Sequence, residues 1–240
     1  MRRSPSSKHT TTPPDVPAEP HELVGVTHHV DAEGDRYRDQ FPEGFFTRAD
    51  ESADSSFYEP VRLVQHLDDA AIAAVGDLYD VLDLTGGVLD LCASWVSHFR
   101  TPPAHLTVLG MNAVELDRNP QAHERVVHDL NADPTLPFAH ESFDAVTCCV
   151  SVDYLTHPVE VFDAVARVLR PGGVFVCTFS NRCFPTKAIR GWLSVDDAGH
   201  VAIVEEYFRR SHGWDEPVAE RRTPDAHHGD PLFAVWARKR

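Results

Sequence analysis

This sequence predicts an α/β architecture, a mostly parallel sheet with helices on both faces, and three observations carry that prediction. Short apolar runs of strand length recur between Val88 and Ala237. Segments with a helical apolar period lie between several of them, and proline or glycine marks many of the joins. Strands that alternate with helices need crossover connections, which bring parallel strands together beneath helical layers.

The elements follow in order. Residues 1–40 hold Pro5, Pro13, Pro14, Pro17 and Pro20 among Ser, Thr and charged residues, with no sustained apolar period. Such a composition buries too little surface to offset its chain entropy, so a disordered tail is expected there. Phe41, Phe45, Phe46, Phe57 and Tyr58 then announce a single domain over 41–240. Asp68 suits the N-cap of a helix over 69–82, whose apolar face is Ile72, Val75, Tyr79 and Leu82. After Gly86-Gly87, the run Val88–Leu91 suits a buried parallel strand. Similar runs follow at Leu106–Gly110, Arg125–His128, Phe143–Val150 and Val174–Phe179. Pro158 opens a helix striped by Val161, Phe162, Val165, Val168 and Leu169, which Pro171-Gly172-Gly173 should stop. Asp196 caps a further helix over 197–210, and Leu232–Ala237 forms a last strand.

Charge and composition narrow the function. Asp plus Glu number 37 against 22 Lys plus Arg, a formal charge of -15. A surface of that sign repels phosphate backbones and anionic membranes, so neither nucleic acid nor a membrane is the expected partner. No run of about 18 apolar residues exists to span a bilayer. The N-terminus is basic but runs into Ser, Thr and Pro rather than an apolar signal core, so a cytoplasmic protein is expected. Cys92, Cys148, Cys149, Cys177 and Cys183 show no C-x-x-C spacing and read as reduced thiols, with neither disulfide nor zinc. The pairs His28-His29 and His227-His228 lack ligand spacing, so no metal is expected.

In an open α/β sheet, ligands bind at the carboxyl ends of the strands near the point where strand order reverses. The strand exits here carry Asp90, Asn112, Asp129 and the stretch Ser151 to Tyr154. By residue type alone, Asp90 and Asp129 also suit turns, Asp153 and Tyr154 a loop before the Pro158 helix, and Trp95 a core or lid aromatic.

Three segments together carry a resemblance: Val88-Leu89-Asp90-Leu91; Leu136-Pro137-Phe138 followed by Glu141 to Val146; and Arg167-Val168-Leu169-Arg170-Pro171-Gly172-Gly173. The chain resembles the class I S-adenosylmethionine-dependent methyltransferases, specifically the type 11 methyltransferase domain, best over about 85–180. The resemblance implies a Rossmann-like, doubly wound, mostly parallel seven-stranded sheet and S-adenosyl-L-methionine as cofactor. By position it sets Asp90 near the methionine end, Asn112 at the ribose hydroxyls, and Asp129 with Leu130 about the adenine, with Cys92, Ser94 and Ser151 also on the cofactor. Where the family has a G-x-G-x-G loop, this chain has Cys92, Ser94 and Val96. Backbone approach is then harder, and a positive φ at Val96 would be costly. Asn112 replaces the usual acid, so Asn112→Asp is expected to tighten binding unless Glu115 already serves.

The reading that follows is methyl transfer to a small-molecule acceptor. Its alternative is a catalytically silent cofactor-binding or regulatory module that kept the fold. A nicotinamide dehydrogenase lacks both its G-x-G-x-x-G and its Tyr-x-x-x-Lys. Asp153 as base, with Tyr154, and Arg182 with Asn181 across the pocket, are the expected acceptor residues. Arg182 paired with Asp153 is the structural alternative. Acceptor identity and oligomeric state stay open.

Overall fold

A computed structural model describes residues 34–224 and 229–240. The expected tail up to residue 33, and both histidine pairs, lie outside the described residues. Residues 34–40, expected in that tail, form a 3-10 helix instead. Tyr37 holds it down: the side chain is buried, its hydroxyl donates to Glu160 at 2.7 Å, and its ring meets Phe46 edge-on.

The seven strands are β1 (Gly87–Leu91), β2 (His105–Gly110), β3 (Glu124–Val127), β4 (Phe143–Cys149), β5 (Leu169–Phe179), β6 (Val218–Arg221) and β7 (Phe233–Arg238). They form one sheet in the order β3-β2-β1-β4-β5-β7-β6. All neighbours pair in parallel except at β7, which runs antiparallel to both β5 and β6. Strand order reverses between β1 and β4, where Asp90 sits level with Thr147.

Among the described residues six α-helices accompany the strands: α1 (Asp54–Tyr58), α2 (Asp69–Val81), α3 (Ala113–Asp117), α4 (Pro158–Val168), α5 (Arg190–Leu193) and α6 (Asp197–Arg210). Asp68 and Asp196 cap α2 and α6 as expected, accepting from the amides of Ala71 and Gly199. The strands' period of two divides the core between the sheet faces. Leu89, Leu91, Phe175 and Cys177 pack with Phe162 and Val165 of α4 and Tyr207 and Phe208 of α6. Val88, Val174 and Val176 pack with Ala71, Val75 and Leu78 of α2 on the other face. Each fully buried side chain of this size contributes about 1.5–3 kcal/mol.

Two expectations change. Helix α4 does end at Val168, but Arg170 to Gly173 belong to β5 itself. Gly172 takes φ +78 and the register against β4 shifts between Phe143 and Ala145, so the Pro-Gly-Gly run is absorbed as a strand irregularity. Strand β6 reads Val-Ala-Glu-Arg, with no apolar run to reveal it. It is an edge strand, and its charged side chains discourage further pairing.

Candidate active site

A cavity of about 380 Å³ opens at the carboxyl ends of β1, β2, β3 and β4. Asp90, Cys92, Ser94, Asn112, Asp129, Leu130, Ser151, Tyr154 and Arg182 all line it; Asp153 and Asn181 do not.

The loop after β1 reaches this cavity without glycine. Cys92 takes φ 52, so the left-handed residue stands where the family's first glycine would be, and Val96 is spared. That corrects the expectation of strain at Val96. Gly110 at the end of β2 supplies the missing room, because a Cβ there would collide with the Ala93 carbonyl. Side chains then fasten the loop: Ser94 Oγ donates to Glu115 at 2.6 Å, Trp95 Nε1 to the Val64 carbonyl at 3.1 Å, and Ser97 Oγ to Asp90 at 2.7 Å.

Asp90 is 5% exposed and also accepts from Thr147 Oγ1 at 2.6 Å. Burial pushes its carboxyl up to about 6, against the pull of those two hydroxyls. Asp129 is braced by a turn, accepting from the amides of Asn131 and Ala132.

Asn112 has a different task from the one expected. Its Oδ1 accepts from the amides of Val114 and Glu115, capping α3, while its Nδ2 donates to the carbonyls of Tyr58 and Glu59 at 2.9 and 3.1 Å. A carboxylate would lose both donations and face two carbonyl oxygens, so the expectation that Asn112→Asp tightens binding is reversed. Glu115, three residues on, lines the same cavity, and beyond Ser94 it accepts from the Arg62 amide at 2.6 Å. A carboxylate has about four acceptor sites, so it retains capacity for a diol.

Sequence reasoning missed the strap formed by α1 and the irregular residues 59–67, which contributes Asp54, Tyr58, Arg62 and His66 to the cavity wall. Asp54 is its anchor. Arg48 Nη1 reaches both carboxylate oxygens at 2.8 Å, Asn131 Nδ2 donates at 2.7 Å, and fully buried Lys187 lies at 3.1 Å. Burial alone would raise the Asp54 pKa; the hydrogen bonds from Arg48, Asn131 and Lys187 outweigh it and lower the value. His66 stands edge-on to Phe184 with centroids 5.3 Å apart, and burial lowers its pKa more than the Glu115 charge raises it. The shift favours the neutral imidazole. Only the aromatics Phe57 and Tyr58 hinted at this strap in the sequence, because its partners lie far along the chain.

The exits of β4 and β5 complete the wall. Val150 takes φ 46, a strained conformation for a β-branched residue, while its amide donates to the Thr178 carbonyl at 2.7 Å. Tyr154 accepts at its hydroxyl from the Phe184 amide at 2.8 Å. Asp153 faces inward instead: it is 2% exposed, Oδ2 has no hydrogen-bond partner, and burial pushes its carboxyl up to about 8. It is a core carboxyl, not a wall residue. Arg182 pairs with Asp230 through Nε at 2.6 Å rather than with Asp153.

Residues 99–177 match a family model described as a methyltransferase domain, a span that begins just beyond the β1 loop. Over this stretch the chain is similar to S-adenosylmethionine-dependent methyltransferases. Among methyltransferase relatives, the ubiquinone/menaquinone biosynthesis C-methyltransferase UbiE of Chromobacterium violaceum is 34% identical over 144 residues, covering 54% of this chain and 59% of that protein. A demethylmenaquinone methyltransferase of Mycobacterium sp. strain KMS is 46% identical over 68 residues, 26% of this chain and 30% of its own. This chain thus spans well under two thirds of either relative. The DhpI–SAH complex shares the methyltransferase fold, with a TM-score of 0.51 at 15% identity over 71% of this chain and 85% of that one. Among the described residues, no helix is long and apolar enough to cross a membrane.

Proposed function

We propose that this protein transfers the methyl group of S-adenosylmethionine to a small, ring-shaped acceptor. The observation that carries the reading is the lining of the cavity: acidic side chains from the exits of β1 and β3 and from α3, together with aromatic rings and arginines. Asp90, Glu115 and Asp129 form a wall suited to a cationic cofactor, with Glu115 rather than Asn112 available to a ribose diol. Cys92 and Gly110 let the loop backbone lie close to that wall. The residues present therefore fit the cofactor.

When bound, S-adenosylmethionine supplies a methyl group on a positively charged sulfur. Tyr58, Tyr154 and Leu130 wall off water, and most of the acceleration comes from orientation and water exclusion. Where the acceptor must lose a proton, His66 is a group on the wall able to take it, as His98 and His128 also are, in place of Asp153. The relatives' named quinone chemistry is compatible with a ring against the aromatic side chains of the cavity.

Calorimetric titration with S-adenosylhomocysteine tests the reading: saturable one-to-one binding is expected, and no heat with no thermal shift at saturation would refute it. The glycine-free loop favours one other reading, a silent binding module. Binding without methyl loss across a panel of phenols, quinols and amines would select it.

A further inference from the structure

We propose that the acceptor is a planar aromatic anion, seated against Phe184 with its charged group held by Arg62 and Arg182. The inference rests on the methyltransferase reading and names the acceptor class for the same cavity. Phe184 lies at the centre of an aromatic cluster. Phe57 meets it edge-on at 5.4 Å between centroids, His66 edge-on at 5.3 Å, and Tyr154 at a tilt at 6.0 Å. Its backbone amide is tied to the Tyr154 hydroxyl, so the ring is held in place.

The Arg62 guanidinium adjoins that ring, and Arg182 lines the same cavity. Arg62 lies 4.7 Å from the Phe57 centroid and 5.8 Å from that of Phe184, fixed by donations to the carbonyls of Phe57 and Pro60. No carboxylate pairs with it among the described residues, in a chain of net charge -15. An unpaired cation on the wall of a cavity in so acidic a protein is a specific provision. Arg182, two residues before Phe184, is oriented through Nε by the buried carboxylate of Asp230, and both its Nη groups lack a protein partner among the described residues. The planar fork of arginine matches a carboxylate.

The test titrates protein saturated with S-adenosylhomocysteine. The probes are 4-hydroxybenzoate, its neutral methyl ester, and cyclohexanecarboxylate. We expect 4-hydroxybenzoate to bind best, with each comparison ligand about tenfold weaker or worse. Arg182→Gln and Arg62→Gln should each bring the anion's affinity down toward that of the ester, leaving S-adenosylhomocysteine affinity within about twofold of wild type. Equal binding of anion and ester refutes the proposal, as does 4-hydroxybenzoate failing to bind a cofactor-saturated protein. A matching loss of S-adenosylhomocysteine affinity in both variants also refutes it, because the guanidinium groups would then serve the cofactor's own carboxylate. Failure of S-adenosylhomocysteine to bind wild type instead removes the parent reading, and the two failures are distinct.

Discussion

Asn112→Asp is the most informative single substitution, because sequence and structure give opposite signs for it. The side chain makes four hydrogen bonds: two accepted from α3 amides and two donated to the carbonyls of Tyr58 and Glu59. Aspartate caps a helix as well as asparagine does, so the accepted pair survives. The donated pair does not. Each hydrogen bond contributes about 1 kcal/mol net, and a carboxylate set against two carbonyl oxygens adds repulsion, so a loss of about 2–3 kcal/mol is expected. For a chain of this length that lowers the melting temperature by roughly 4–10 °C. Because the lost bonds hold the end of α1 at the cavity wall, S-adenosylhomocysteine affinity should fall as well. Chemical denaturation with calorimetric titration at pH 7 measures both, and Asn112→Ser, which removes the amide donors without adding charge, should lose about 2 kcal/mol. An Asn112→Asp protein as stable as wild type, or one that binds tighter, would show that the amide donations carry no weight and that the position reads the ribose after all.

Other perturbations separate wall from core. Asp153 holds a proton in the folded state up to about pH 8 that the unfolded chain releases near pH 4, so its contribution to stability falls as pH rises through that window. Asp153→Asn should gain on wild type from about pH 5 to 8, level off above, and keep cofactor binding; a pH-independent difference in denaturation midpoint would contradict this. Gly110→Ala should force the Ala93 carbonyl and the β1 loop away from β2, lowering both melting temperature and S-adenosylhomocysteine affinity; wild-type values for both would count against the close approach. Lys187→Met removes a fully buried ammonium from the Asp54 cluster and should cost about 3 kcal/mol, read as a lower urea midpoint, with an unchanged midpoint as the refuting result.

What the sequence made legible was whatever a local pattern determines. Helices α2, α4 and α6 carried an N-cap or N-terminal proline and a 3.6-residue stripe, and both central strands were continuous apolar runs. Helix α3 has five residues, too few for a period, so Asn112 looked like a strand exit when it is a cap. Strand β6 is recognisable only through its pairing with β7. The site divides along the same line. Positions along the strands placed Asp90, Asp129 and Ser151 on the cavity, yet side-chain direction at Asp153 depends on a three-residue 3-10 turn that no spacing reveals. The Arg182–Asp230 pair and the Asp54–Lys187 cluster join residues far apart in the chain, and only the folded molecule brings them together.

The glycine-free loop after β1 bears on how a ligand would be received. Three glycines would leave the unfolded chain many more conformations than Cys92, Ser94 and Val96 do, a difference of about 0.4–1 kcal/mol at each position. Ser94, Trp95 and Ser97 are tied to Glu115, Val64 and Asp90 by bonds within the protein itself. A segment that has surrendered its freedom during folding has little left to surrender on association. Binding here should show a smaller entropic penalty than in a glycine-loop relative, with a matching loss of adaptability toward cofactor analogues of altered shape.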